Sequence, residues 1–375
     1  MKPVEIDRSY LLKTLEGLLN IPSPTGYTDQ IVRYCSRELG HLGVEHELTR
    51  RGAIRAVLHG GKRQPARAII AHVDTLGAQV KNLKANGRLE LVPIGHWSSR
   101  FAEGARATLF TRQGAFRGTV LPLKASGHTF NEEIDSQPVA WDQVELRVDV
   151  MAESKDDLAK LGIGIGDHVA IDPAPEFLDN GYIVSRHLDD KAGVAVLFAA
   201  LKALNDAEAR FPVDSYFLFS IAEEVGVGAS SVLHGDIASM ITIDNGTTAP
   251  GQNSRETGVT IAMADSSGPF DYHLTSKLID LCEEYGVAYQ RDIFRYYRSD
   301  SASALEAGND IRTALLAFGV DASHGYERIH VDALESLAKL LCLYMQSTVR
   351  IARDARELGS LRGFTRQPVR PAEGS

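Results

Sequence analysis

Several short apolar runs along this chain end on acid or imidazole, and that repetition limits the folds open to it. Ala68-Ile69-Ile70-Ala71 leads into His72-Val73-Asp74. Ser215 to Ile221 leads into Glu223-Glu224, and Ile241-Thr242-Ile243 ends at Asp244. Gly181 to Ser185 is followed by Asp189-Asp190, at the mouth of an apolar, Ala-rich helix over Ala192 to Leu204. A further strand-like run, Thr313 to Gly319, leads toward His324. Buried strands alternating with helices predict an α/β fold, in which polar residues gather beyond the strand ends. The Asp189-Asp190 pair is the oddest of these features. One Asp serves as a helix N-cap, and a second beside it adds repulsion that a divalent cation would remove.

With 375 residues the chain is long for one core, so two domains are expected. Leucines at helical spacing predict a helix over residues 8–20, and Thr28 begins a second that runs to Leu39 and stops at Gly40. Val44 to Thr49 and Ala53 to Leu58 read as paired strands. From about Leu76 to Asp179 the character changes to short strands and turns. Asn86-Gly87 is a hairpin signal, Gln113-Gly114 marks another turn, and Val144 to Val150 alternates at period two. The expectation is an α/β catalytic domain built on a mixed sheet flanked by helices, interrupted by a small β-rich, barrel-like insert. Its parts are residues 1–77 and 179–356 for the catalytic domain, 78–178 for the insert, and a mobile tail over 357–375. A long closing helix is predicted from Val331 to about Arg356.

A net charge of −9 disfavours nucleic acid or an anionic membrane surface as partner. No run approaches the length of a membrane span, and the first residues lack the apolar core of a signal peptide. Cys35, Cys282 and Cys342 are far apart among apolar neighbours and read as reduced and buried. A cytoplasmic location is therefore expected.

If the strand ends share one edge of the sheet, His72, a shared carboxylate, a Glu, an Asp and a second His can hold two divalent ions about 3.5–4 Å apart. Such a nitrogen and oxygen set suits zinc, with cobalt or manganese as alternatives, better than magnesium. Adjacent side chains cannot easily bind one ion, so one of Glu223 and Glu224 can be a ligand and the other a base.

Taken together, His72-Val73-Asp74-Thr75-Leu76-Gly77, Pro93-Ile94-Gly95-His96-Trp97, Gly164-Ile165-Gly166-Asp167, Leu188 to Gly193, Ala222 to Gly226 and Ser299-Asp300-Ser301 resemble one known pattern. It is that of the co-catalytic dinuclear metallo-aminopeptidases, the group of glutamyl, deblocking and tetrahedral self-compartmentalising peptidases, some once labelled endoglucanases. The resemblance spans about residues 8–350. It implies a zinc-peptidase fold, His72 as a histidine ligand and Asp74 as the acid orienting it. It further implies Asp189 as bridging carboxylate, Asp190 as its support, Glu223 as general base, Glu224 and Asp244 as terminal ligands, and His324 as the last ligand. The insert resembles the family's dimerisation domain, implying a homodimer or a larger homo-oligomer acting on small peptides.

Two histidines compete for the last position. The family's usual Arg-Tyr-Ile-His-Ser-Pro is replaced by Asp321-Ala322-Ser323-His324-Gly325-Tyr326-Glu327-Arg328-Ile329-His330. His324, just past a strand-like run, is preferred to His330, which enters the closing helix. The His324 to Arg328 variant resembles a branch associated with synthesis of the osmoprotectant N-acetylglutaminylglutamine amide. Two other functions use or retain the same residues: a deacylase or amidase acting on a small N-acylated peptide, and a weakly catalytic metal-bound scaffold. Sugar hydrolysis is set aside, since it needs two free carboxylates flanking the bond.

Overall fold

A computed structural model describes residues 1, 4–349, 351 and 354. The expected tail over 357–375 lies outside the described residues. α1 (Arg8–Leu19) starts at Asp7, whose carboxylate accepts the Tyr10 N–H, and buries Leu11, Leu15, Leu18 and Leu19. α2 (Asp29–His41) continues through Gly40, contrary to the expected stop. The left-handed residue is Gly43, at φ 66°, which lets the Val44 N–H return to the Leu39 carbonyl. β1 (Glu45–Leu48) and β2 (Ile54–Leu58) pair antiparallel, and β3 (Ala66–His72) is buried along its whole length.

Next comes a closed barrel. β4 (Gly77–Leu83), β5 (Leu89–Ile94), β6 (Arg106–Phe110), β7 (Ala115–Pro122), β8 (Val144–Val148) and β9 (His168–Ile171) close in the order β4-β5-β8-β7-β6-β9. α3 (Gly127–Phe130) and α4 (Lys155–Lys160) decorate it. Its interior is an apolar cluster of its own, including Val80, Leu91, Leu109, Val120, Leu146 and Val169. Closure leaves no unpaired edge among these short strands.

The chain returns through β10 (Glu176–Phe177) and β11 (Tyr182–Ser185) to α5 (Leu188–Asp206), which is buried nearly all round, as its even apolar sequence requires. β12 (Ser215–Ser220), β13 (Ile237–Thr247), β14 (Val259–Asp265), β15 (Gly268–Pro269), α6 (Tyr272–Tyr285) and β16 (Tyr289–Ile293) follow. After them come α7 (Asp300–Glu306), β17 (Arg312–Val320), β18 (Glu327–His330) and α8 (Val331–Gln346). Among the described residues, the sheet has nine strands in the order β1-β2-β12-β3-β13-β17-β14-β15, with β16 on β14. β12, β3, β13 and β17 are mutually parallel. The fold is thus mixed α/β with a barrel insert.

Two further extents differ from the sequence expectation. β13 does not end before Asp244 but runs through it to Thr247, because β17 keeps pairing with it as far as Val320. α8 stops at Gln346, ten residues short of the predicted Arg356. The buried Arg67 side chain donates to the Tyr344 and Ser347 carbonyls at 2.9 and 2.7 Å, and Ser347 turns extended. Helical periodicity does not reveal such a distant cap. Cys35, Cys282 and Cys342 are free and buried. Among the described residues no helix is long and apolar enough to cross a membrane.

Candidate metal centre

Because β12, β3 and β13 run parallel and adjacent, their carboxyl ends open onto one edge. His72 ends β3, Asp244 lies within β13, and Glu223 and Glu224 sit in the turn after β12. α5 brings Asp189 to the same edge, and the loop after β17 brings His324. His330 is not brought there: it ends β18, bonding the Asn180 carbonyl at 3.1 Å and facing Asp332.

The two histidines are held alike. Each Nδ1 faces a backbone carbonyl, that of Asp74 for His72 (2.8 Å) and that of His96 for His324 (2.9 Å). A carbonyl only accepts, so Nδ1 carries the proton and Nε2 is turned into the site. His72 Nε2 lies 3.2 Å from Asp189 Oδ1, and His324 Nε2 lies 3.3 Å from Asp189 Oδ2. One carboxylate thus stands between two imidazoles, one oxygen toward each. Glu224 Oε2 is 3.8 Å from His324 Nε2, and Glu223 Oε2 is 3.8 Å from His72 Nε2. His72, Glu223 and Asp244 each offer one ligand atom, all within 4.8 Å of one another. Asn245 Nδ2 donates to Asp189 Oδ2 at 2.6 Å.

The electrostatics favour positive charge at this edge. Burial pushes the Glu223 and Asp244 carboxyls well above the usual range, and neighbouring acids push them further. Burial also takes Glu224 to about 7. Burial would raise Asp189 too, but the hydrogen bonds to His324 and His72 outweigh it and hold it low. Against the cost of its burial, His324 is lifted to about 10 by Asp189 and Glu224. Among the described residues, no Lys or Arg forms an ion pair with Asp189, Glu223, Glu224 or Asp244. Glu224 Oε1 is buried without a hydrogen-bond partner. Two buried acids, Asp189 and Asp244, two half-buried ones, Glu223 and Glu224, two imidazoles aimed between them and an orphaned oxygen are a donor set that fits divalent cations.

The surrounding residues hold this set in place. The resemblance implies Asp74 as the acid that orients His72, and both its backbone oxygen, at 2.8 Å, and its carboxylate, at 3.6 Å, lie on the Nδ1 side of that ring. The Asp74 carboxylate also accepts Thr25 Oγ1 (2.6 Å) and the N–H groups of Glu223 (3.2 Å) and Glu224 (3.3 Å). Asp190 Oδ2 accepts the His72 N–H at 3.1 Å. A Cβ at Gly193 would sit 2.1 Å from Asp190 Oδ1, so the glycine is what gives the second Asp its room. Asp300 accepts Ser220 Oγ (2.5 Å) and the Ala229 N–H (2.7 Å), closing the far side of the Glu223-Glu224 turn.

Glu327 has no counterpart in the sequence reading. It is buried, and its two oxygens accept the N–H groups of Asp189 (3.1 Å) and His324 (2.9 Å). Burial takes its carboxyl to about 8. The available signal was its place three residues after His324, where the chain departs from the family's usual segment.

A profile described as M42 glutamyl aminopeptidase matches residues 52–340. A putative aminopeptidase of Bacillus subtilis, YhfE, is 36% identical over 90% of this chain and 97% of that one. A glutamyl aminopeptidase of Lactococcus lactis is 27% identical over 59% of this chain and 62% of its own. A lysyl aminopeptidase of Pyrococcus furiosus is 26% identical over 58% and 61%. The fold is that of the Pyrococcus horikoshii TET1 peptidase, which can assemble into a tetrahedron or a large octahedral shell. The TM-score is 0.79, with 23% identity over 89% of this chain and 99% of that one.

Proposed function

The chain belongs to the M42 glutamyl aminopeptidase family, and from that premise we propose that it hydrolyses the N-terminal peptide bond of small peptides with two divalent ions. His72 and Asp244 would hold one ion, His324 and Glu224 the other, and Asp189 would bridge them. The observation that carries this reading is the split of Asp189, one oxygen toward each histidine. The nitrogen and oxygen donors suit zinc, with cobalt or manganese as alternatives. Ions bound there would polarise the scissile carbonyl and lower the pKa of a water toward about 7. Glu223, against the His72 side of the site, is the base: it takes the proton of the attacking water and passes it to the leaving amine. Asp74 fixes that base by accepting its backbone N–H, and Asp190 fixes the strand end that carries His72. The barrel is proposed as the contact between copies in a homo-oligomer, since it exposes Met151 completely and Ile165 at 73%.

A panel of free amino-acid p-nitroanilides and their N-acylated counterparts, assayed with zinc, cobalt, manganese or chelator, tests the reading. Cleavage of the free-amine substrates, lost with chelator and restored by metal, is expected. Cleavage of the N-acyl substrates alone would make the protein a deacylase, and cleavage of neither would leave a scaffold.

A further inference from the structure

Asn245 is 4% exposed, and among the described residues each hydrogen bond of its side chain runs to the metal centre or to the loop that carries His324. Nδ2 donates to Asp189 Oδ2 at 2.6 Å and to Asp244 Oδ1 at 3.2 Å, and Oδ1 accepts Ser323 Oγ at 3.3 Å. The amide can face only this way, because turned over its oxygen would oppose two carboxylates. Its backbone is anchored independently: it pairs with Phe318 of β17, and its carbonyl accepts Tyr297 Oη at 2.8 Å. The side chain therefore reaches the centre from a fixed base.

The two acids depend on this amide unequally. Asp244 Oδ1 also accepts the Asn245 backbone N–H at 2.7 Å, which a change of side chain leaves in place. The Asp189 carboxylate has no such second hold. Among the described residues its other hydrogen-bonding neighbours are the Nε2 atoms of His72 and His324, at 3.2 and 3.3 Å. Those nitrogens are the ligand atoms an ion would take, which leaves the amide as the one hydrogen bond fixing the turn of the carboxylate. An ionised carboxylate oxygen offers two lone pairs, so Oδ2 can accept the amide and still face an ion. We propose that Asn245 is the positioning residue of the bridge: it sets the turn of the Asp189 carboxylate and, through Ser323, its placement against His324, so that the ion on the His324 side depends on it more than the ion on the His72 side. The inference rests on the two-ion reading of this centre and adds a residue outside the ligand set that makes the two positions unequal.

The metal-free protein is titrated with cobalt(II), calorimetry reading the affinity of each ion and visible absorption its coordination. Asn245→Leu roughly keeps the volume and removes the amide. One of the two binding steps should weaken by about 10–100-fold, with altered visible bands, and the other by less than about threefold. In a His324→Ala background, where the His72 side is the one left to fill, Asn245→Leu should change the remaining affinity by less than about threefold. Ser323→Ala changes a half-buried loop residue and should weaken the same step by about two- to tenfold. It decides the test if Asn245→Leu does not fold. Equal losses in both steps, or affinities unchanged in both variants, overturn the role of Asn245 and leave the two-ion reading standing. Fewer than two ions bound by the wild type would overturn that reading and the inference with it.

Discussion

In the barrel, Glu145 is 3% exposed, and its two oxygens are taken by Lys84 and by Arg88. At the edge of the sheet, Asp189 and Asp244 are 4% and 3% exposed, and among the described residues no Lys or Arg pairs with them. Both regions meet the cost of a carboxylate out of water. The barrel meets it with its own cations, so its ionic group is finished when the chain is folded. The sheet edge leaves its acids to two imidazoles that are themselves turned toward a common point. The difference teaches where to look for chemistry: a buried charge that the fold has already neutralised is architecture, and one left short is set aside for a ligand.

Glu223→Gln bears on this contrast with the largest expected effect. It keeps the shape of the site and removes the base, so kcat should fall by about 10²–10⁴ with metal content near wild type. Retained turnover in steady-state assays would remove Glu223 from that role. Asp189→Asn attacks the bridge instead. Metal affinity should fall by at least about 100-fold, read as metal per chain after dialysis, and two metals retained would break the assignment.

The pH dependence of stability should divide the metal-free from the metal-loaded protein. Glu224 at about 7 and His324 at about 10 are both raised above their ordinary values. Between the unfolded and folded pKa of each group the native state holds more protons than the unfolded chain. The metal-free protein should therefore lose stability as pH rises from about 5 to about 9. Metal binding expels those protons and strengthens with rising pH, so the loaded protein should move the other way. Melting curves at acid and alkaline pH, with and without chelator, should cross; parallel curves would mean that no ion replaces the protons.

The smallest effect belongs to the barrel. Glu145→Gln should cost about 1–3 kcal/mol in denaturant unfolding, reduced because Lys84 and Arg88 are 30% and 32% exposed. It should leave kcat/KM alone. Lost activity in a folded Glu145→Gln protein would show that the two regions are not independent.

What the sequence revealed follows from what one-dimensional patterns can carry. Strand ends bearing His72, Asp189, Glu223 and Asp244 were legible because the apolar runs before them mark strands, and α/β geometry collects such ends. The barrel was legible from Asn86-Gly87 and period-two alternation. That the Asp74 carboxylate also accepts the N–H groups of Glu223 and Glu224 was not, since a motif names residues and not which of their atoms is used. Glu327 and Arg67 escaped for another reason: each acts on backbone far along the chain, and such partnerships leave no periodic trace. The end of α8 was missed with Arg67, its distant cap.

The Glu327 carboxylate joins the start of α5 to a loop 138 residues further along the chain. During synthesis, a chain that has emerged only as far as β13 already carries four of the five proposed ligands and the proposed base, but neither His324 nor the acid that pins Asp189 in place. The centre is therefore complete only in a chain that includes the segment through residue 327. A chain interrupted before that point would have no finished cage in which to sequester metal, and loading with metal would report that folding is complete.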